Sequence, residues 1–192
     1  MLQWAAEHIL SSVMNFTAKI DSGFGDSAAQ FRVYLANRPP MTEYAHLDNT
    51  YALQRGEIEL INKSCGNGWR KVFNVYAKLL FALDPQQFAY SRQADSWQQF
   101  RDSVLLQAGS NTALLFAMPS LANEEKTVHI IAGRTYAKTL LEQGLPAQLN
   151  WLSSEFAVDK ASRILVCPYF DYRQLNNEKI GTLAALMKAL DD

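Results

Sequence analysis

Side chains able to do chemistry are few in this chain and lie far apart. Of the three histidines, His8 falls on an amphipathic stretch as a surface or flank residue. His129 falls inside the apolar run Val128 to Ala132, where a satisfied core histidine is far commoner than a catalytic one. His46 shares the polar, irregular segment from Met41 to Asn49 with Asp48. That segment follows a strand end, the usual place for a ligand loop, so His46 is the histidine for which a chemical role stays open.

A second set of polar and aromatic residues stands at the ends of apolar runs. If those runs are parallel strands, Asn37 and Arg38, Ser120, Gly133 and Arg134, and the segment Cys167 to Arg173 gather on one edge of a sheet. Tyr169, Phe170, Asp171, Tyr172 and Arg173 then offer a stacking wall, a carboxylate and a cation for a small planar or anionic ligand. The competing reading is an aromatic plug over the helix ends with an Asp171–Arg173 surface pair. Around Gly133 the stretch KTVHIIAGRTYAKTLLEQG reads as strand, turn and helix, with Ala137, Leu140 and Leu141 at helical spacing. A helix start of this kind presents free N–H groups to a polar ligand.

Complete catalytic signatures are missing. The sequence holds no GxxxxGK[ST], GxSxG or HExxH, which removes the simplest nucleotide hydrolase, esterase and metalloprotease readings. Gly66-Asn67-Gly68 precedes Arg70 and Lys71 but follows no strand and lacks a third glycine, so it reads as a turn between helices rather than a phosphate cradle. Cys65 and Cys167 have no metal-type or CxxC spacing. No metal and no cofactor is expected.

The elements that must position these residues follow from periodicity. Phe31 to Asn37, Thr112 to Met118, Val128 to Ala132 and Ile164 to Cys167 are continuous apolar runs, which predicts strands covered on both faces. The link from Pro119 to Lys126 is short for a parallel crossover, so either one strand is antiparallel or those two strands are not neighbours. Helices are predicted over Leu2 to Ile20, Thr50 to about Lys63, Trp69 to Leu83, Ala94 to Gln107 and Arg173 to Leu190, the last capped by Asn176 or Asn177. Asp21 to Ser27, with two glycines among small polar residues, reads as a loop. Leu145 to Ser162 gives no firm element.

Size and composition bound the rest. A chain of 192 residues without repeats or a linker is one domain, residues 1–192, with the amphipathic helix over 1–20 packed on it. Hydrophobic residues make up 48% and charged residues 19%, which argues against disorder. A formal net charge of −1 gives no general pull toward nucleic acid or an anionic membrane. The amino terminus lacks a basic n-region and no run reaches membrane-spanning length, which points to a cytoplasmic protein without a membrane partner.

The order of elements resembles the uracil-DNA glycosylase superfamily. VFNVYAKLL is similar to the helix after that family's phosphate-pinching serine, and HIIAGRTYAKTL to its apolar strand, glycine turn and helix. A strand ending near Asn-Arg-Pro and the strand ILVCPYFDYR complete the likeness, over residues 31–190. It implies an α/β fold of three α/β/α layers, with a central, mainly parallel sheet of about four strands and a strand-end pocket that receives a flipped base. The motifs depart from the family. Pro39 follows Arg38, with Asn37 one residue earlier, where the family has Asp or Asn before proline. Cys167-Pro168-Tyr169 stands for His-Pro-Ser, and Lys71 stands near the pinching serine. Losing a positioned acid or base costs about 10²- to 10⁴-fold, so the resemblance implies the fold with different or missing chemistry.

Two functions follow. The first is a binding protein that keeps a glycosylase-like fold and a polar, aromatic strand-end pocket. The alternative is a divergent DNA glycosylase or nucleobase-processing hydrolase. Asn37, His46 and Asp171 are the catalytic candidates; Arg38, Ser120, Gly133, Arg134, Tyr169, Phe170 and Arg173 are the ligand-binding ones. Nucleic acid is a partner the charge balance does not favour.

Overall fold

The structure, a computed structural model, describes residues 21–121 and 126–191. The helix expected over residues 2–20, with His8, lies outside them. In chain order the described elements are β1 (Gly23–Gly25), β2 (Phe31–Tyr34), β3 (Thr50–Tyr51), α1 (Glu57–Cys65), α2 (Asn67–Ala82), α3 (Trp97–Ser103) and β4 (Thr112–Leu115). There follow β5 (Val128–Ala132), α4 (Arg134–Glu142), β6 (Asn150–Trp151), β7 (Ala157–Asp159), β8 (Ile164–Cys167) and α5 (Asn177–Lys188).

All eight strands form one sheet in the order β3-β1-β4-β2-β5-β8-β7-β6. The four expected strands are its centre: β4, β2, β5 and β8 are parallel, with Tyr34 opposite Ile131 and Ala132 opposite Cys167 in register. An α/β fold is therefore present, but a sheet of about four strands is too small. Short strands extend it at both sides, and β1 against β4, β7 against β8 and β6 against β7 are antiparallel. The short link from Pro119 is explained by the order, since β2 lies between β4 and β5.

The central runs are apolar at successive positions because the sheet is covered on both faces. Phe31, Val33, Leu114, Val128, Ile130, Leu165 and Cys167 pack with Val72 and Tyr76 of α2, Ile61 of α1, Phe100 of α3 and Leu183 of α5. The alternate residues Tyr34, Leu115, Ile131, Ile164 and Val166 pack with Ala137 and Leu140 of α4. The Tyr76 hydroxyl joins helix to sheet by donating to the Ala113 carbonyl at 2.9 Å. His129 is the satisfied core histidine expected: it is buried, and its Nδ1 lies 2.8 Å from the Tyr34 hydroxyl.

Three local readings are corrected. The segment expected to be a loop, Asp21 to Ser27, contains β1, and its glycines are the reason. A Cβ on Gly23 would collide with the Leu114 carbonyl and lie 2.7 Å from the Leu115 Cα, so only a bare backbone fits this close to β4. The helix expected from Thr50 begins at Glu57, because Thr50 and Tyr51 pair with β1. The helix expected over Ala94 to Gln107 is Trp97–Ser103, with the Ser96 hydroxyl accepting from the Gln99 N–H as its cap. Asn176 caps α5 in the same way, through the Lys179 N–H. Among the described residues no helix is long and apolar enough to cross a membrane.

Candidate functional site

Chain direction fixes where a crevice can open. From β2 the chain crosses through α1, α2 and α3 to β4 on one side, and from β5 it crosses through α4 to β8 on the other. The loops after the neighbouring strands β2 and β5 therefore part, which in open α/β sheets leaves room for a ligand beyond the carboxyl ends. A crevice of about 600 Å³ lies there.

Ala36 and Asn37 after β2 and Ala132 and Gly133 at the end of β5 line it. Gly133 adopts φ 112°, a value that disfavours any side chain, and its N–H donates to the Cys167 carbonyl at 2.8 Å, tying the start of α4 to the end of β8. Ala137 makes the first backbone bond of the helix, back to Gly133, so the N–H groups of Arg134, Thr135 and Tyr136 precede the intrahelical ladder. Arg134 is exposed and uses one N–H, from Nη1 to the Ser154 carbonyl at 3.2 Å. Its guanidinium carbon lies 5.3 Å from the centre of the Trp151 ring.

The opposite wall comes from β8 and the β6–β7 hairpin. Tyr169 is half-buried, and burial followed by the Asp171 charge raises its phenol above the ordinary value. Glu155 lines the crevice, and its Oε1 accepts from Lys179 Nζ at 2.6 Å. Gln174 completes the wall. Neither the Asn37 nor the Gln174 side-chain amide has a hydrogen-bond partner among the described residues.

Asn37, Gly133, Arg134 and Tyr169 thus come together as expected, while the other named residues do not line the crevice. Arg38 turns to the far side of its strand end, donating to the Ser22 hydroxyl at 2.6 Å and the Leu47 carbonyl at 3.2 Å. Phe170 is fully buried, 5.8 Å from Tyr76 between ring centres, because successive residues after β8 face opposite ways. Ser120 is half-buried beyond β4, and His46 is exposed in the loop after a short 3-10 turn at Thr42–Tyr44. Asp171 and Arg173 meet through the backbone: one Asp171 oxygen accepts from the Arg173 N–H at 2.9 Å, and the other accepts from Lys71 Nζ at 2.7 Å. Burial alone would raise the Asp171 carboxyl, but the Lys71 and Arg173 bonds and their charges outweigh it and hold it below its ordinary value.

Sequence reasoning missed Tyr136, Ser154, Glu155 and Gln174. Tyr136 carried a signal, being one turn into the helix after Gly133. Ser154 and Glu155 lie in a hairpin whose strands are two and three residues long, too short to show alternation. Among the described residues no cluster of three or more His, Cys, Asp or Glu is placed to hold a metal ion.

No curated protein and no solved structure matches the chain. Residues 22–188, from the edge of β1 to the end of α5, match the model of a family of unknown function, DUF6942, and the chain belongs to that family.

Proposed function

We propose that this protein binds a small planar ligand with a polar edge in the crevice beyond β2, β5 and β8, and that it does so without catalysing a reaction. The observation that carries the reading is the crevice itself. It opens where the crossovers diverge, and its walls combine the Tyr169 ring with the amides of Asn37 and Gln174, which have no partner among the described residues. A ring offers a stacking face, and a primary amide offers a donor and an acceptor side by side, which suits a heterocycle edge. Four parallel central strands with helices on both faces support kinship with the uracil-DNA glycosylase superfamily at the level of fold. Two free cysteines support a reducing, cytoplasmic setting.

The carboxylate of the crevice lining, Glu155, is held by Lys179, while His46 and Asp171 lie off the crevice, so among the described residues neither a free carboxylate nor an imidazole stands beside a bound ligand. The lining phenols of Tyr136 and Tyr169 are raised by burial, which makes them poor bases. The second reading, a divergent glycosylase, is favoured by one observation: Asn37 lines the crevice, where its amide could orient a water. Ligand-observed NMR with nucleobases and nucleosides tests the first reading. Binding that Asn37→Ala and Tyr169→Ala each weaken is the expected result, and no binding across the panel overturns it. Release of free base from uracil-containing or damaged DNA, abolished by Asn37→Ala, would establish the second.

A further inference from the structure

The charges around the crevice do not cancel. Two carboxylates stand near it, and each has its own cation: Glu155 with Lys179 at 2.6 Å and Asp171 with Lys71 at 2.7 Å. Arg134 is left without a carboxylate among the described residues. Its one hydrogen bond is to a neutral carbonyl, at the long end of the normal range, and the rest of the fork is open. Its guanidinium carbon sits over the Trp151 ring at 5.3 Å, a cation–π contact that helps hold the side chain in place without using up its N–H donors.

We infer that the ligand of this crevice carries one negative charge, a carboxylate or phosphate oxygen pair seated on the Arg134 fork. The inference rests on the proposed binding role and adds the ligand's charge class to it. A planar fork of N–H donors matches two oxygens of an anion and has no equivalent match to an amide or an amine. The mostly uncharged remainder of the lining takes the ring, so the ligand is an aromatic or heteroaromatic monoanion rather than a polyanion. Trp151 holds the same guanidinium in a cation–π contact and therefore senses occupancy. Its indole and the Arg134 Nε–H move together when the anion arrives.

The test uses the full-length 15N-labelled protein and four probes: benzoate, its neutral isostere benzamide, the monoanionic diester methyl phenyl phosphate and a thymidine tetranucleotide. Shifts of the Arg134 Nε–H and Trp151 indole N–H signals are followed in titrations. Benzoate or methyl phenyl phosphate is expected to bind at least about tenfold more tightly than benzamide, since an ion-assisted bond exceeds a neutral one by this much. Arg134→Gln should bring benzoate and benzamide to equal affinity, and Arg134→Lys should restore part of the difference. Arg134 is exposed, so both variants are expected to keep the wild-type circular dichroism spectrum.

Equal binding of benzoate and benzamide overturns the anion seat and leaves a neutral planar ligand standing. Binding by none of these probes, with no nucleobase bound either, overturns the anion seat and the pocket together. If the tetranucleotide binds through Arg134 and the small anions do not, the inferred small-molecule monoanion is wrong and the negative charge comes from a nucleic-acid backbone.

Discussion

Phe170 and Tyr169 are neighbours in sequence with opposite duties, and replacing each by alanine separates them. Phe170 is fully buried and edge-on to Tyr76. Removing such a ring leaves a cavity that the surrounding α2 and α5 side chains cannot close, at a cost of about 3–5 kcal/mol. Domains have a total stability of about 5–15 kcal/mol, so Phe170→Ala should lose a large part of it. For a chain of this length each kcal/mol lowers Tm by about 2–4 °C, which gives a drop of roughly 6–20 °C. Tyr169 is half-buried with one side on the crevice, and Tyr169→Ala should cost about 1–2 kcal/mol from the area it does bury. Urea unfolding followed by circular dichroism measures both, read as a change of midpoint at unchanged slope. A loss under about 1 kcal/mol for Phe170→Ala, or a larger loss for Tyr169→Ala than for Phe170→Ala, would refute the assignment of one ring to the core and the other to the pocket.

Gly23→Ala should cost about 2–3 kcal/mol, because the new methyl meets the backbone of β4 rather than a movable side chain; the urea midpoint reads it directly. His129 has its pKa lowered to about 4 by burial first and then by the Arg32 and Arg163 charges. The folded value lies below the unfolded one near 6.5, so its contribution is complete above that pH and declines as pH falls toward the folded value, by about 3 kcal/mol in all. His129→Gln should flatten the stability profile in that window and leave it elsewhere. The Lys71–Asp171 pair, with side chains 12% and 20% exposed, should show a coupling of about 1–2 kcal/mol in a double-mutant cycle of Lys71→Met and Asp171→Asn. Because the folded Asp171 pKa is lowered, that coupling is present above about pH 3.9 and fades as pH drops through the folded value. A cycle giving the same coupling on both sides of that fall would count against the pair.

The centre of the fold was legible because β2, β4, β5 and β8 are runs of mostly apolar residues without alternation, Arg32, Thr112 and His129 being the polar exceptions, a pattern that suits a sheet covered on both faces. The margins were not. Gly23 and Gly25 look like loop residues, and what makes them strand residues is the distance to β4, which no local pattern records. Thr50 and Tyr51 pair with β1 across a long stretch of chain, and that pairing delays α1 to Glu57. The site divides in a similar way. Asn37, Gly133, Arg134 and Tyr169 could be grouped in advance, since parallel strands bring their ends together. Arg38 and Phe170 sit beside them in sequence yet turn away, one to Ser22 and one to Tyr76. Rotation about the chain after a strand end decides such cases, and tertiary packing sets it.

Both outermost strands of the described sheet, Thr50–Tyr51 and Asn150–Trp151, are only two residues long. An extended peptide arriving at either flank would find few open main-chain partners before the ladder ran out. Such a narrow template disfavours fibril-like stacking of one copy on the next and strand-by-strand capture of a partner. Among the described residues the sheet is eight strands wide, yet its flanks offer a newcomer almost no main-chain ladder.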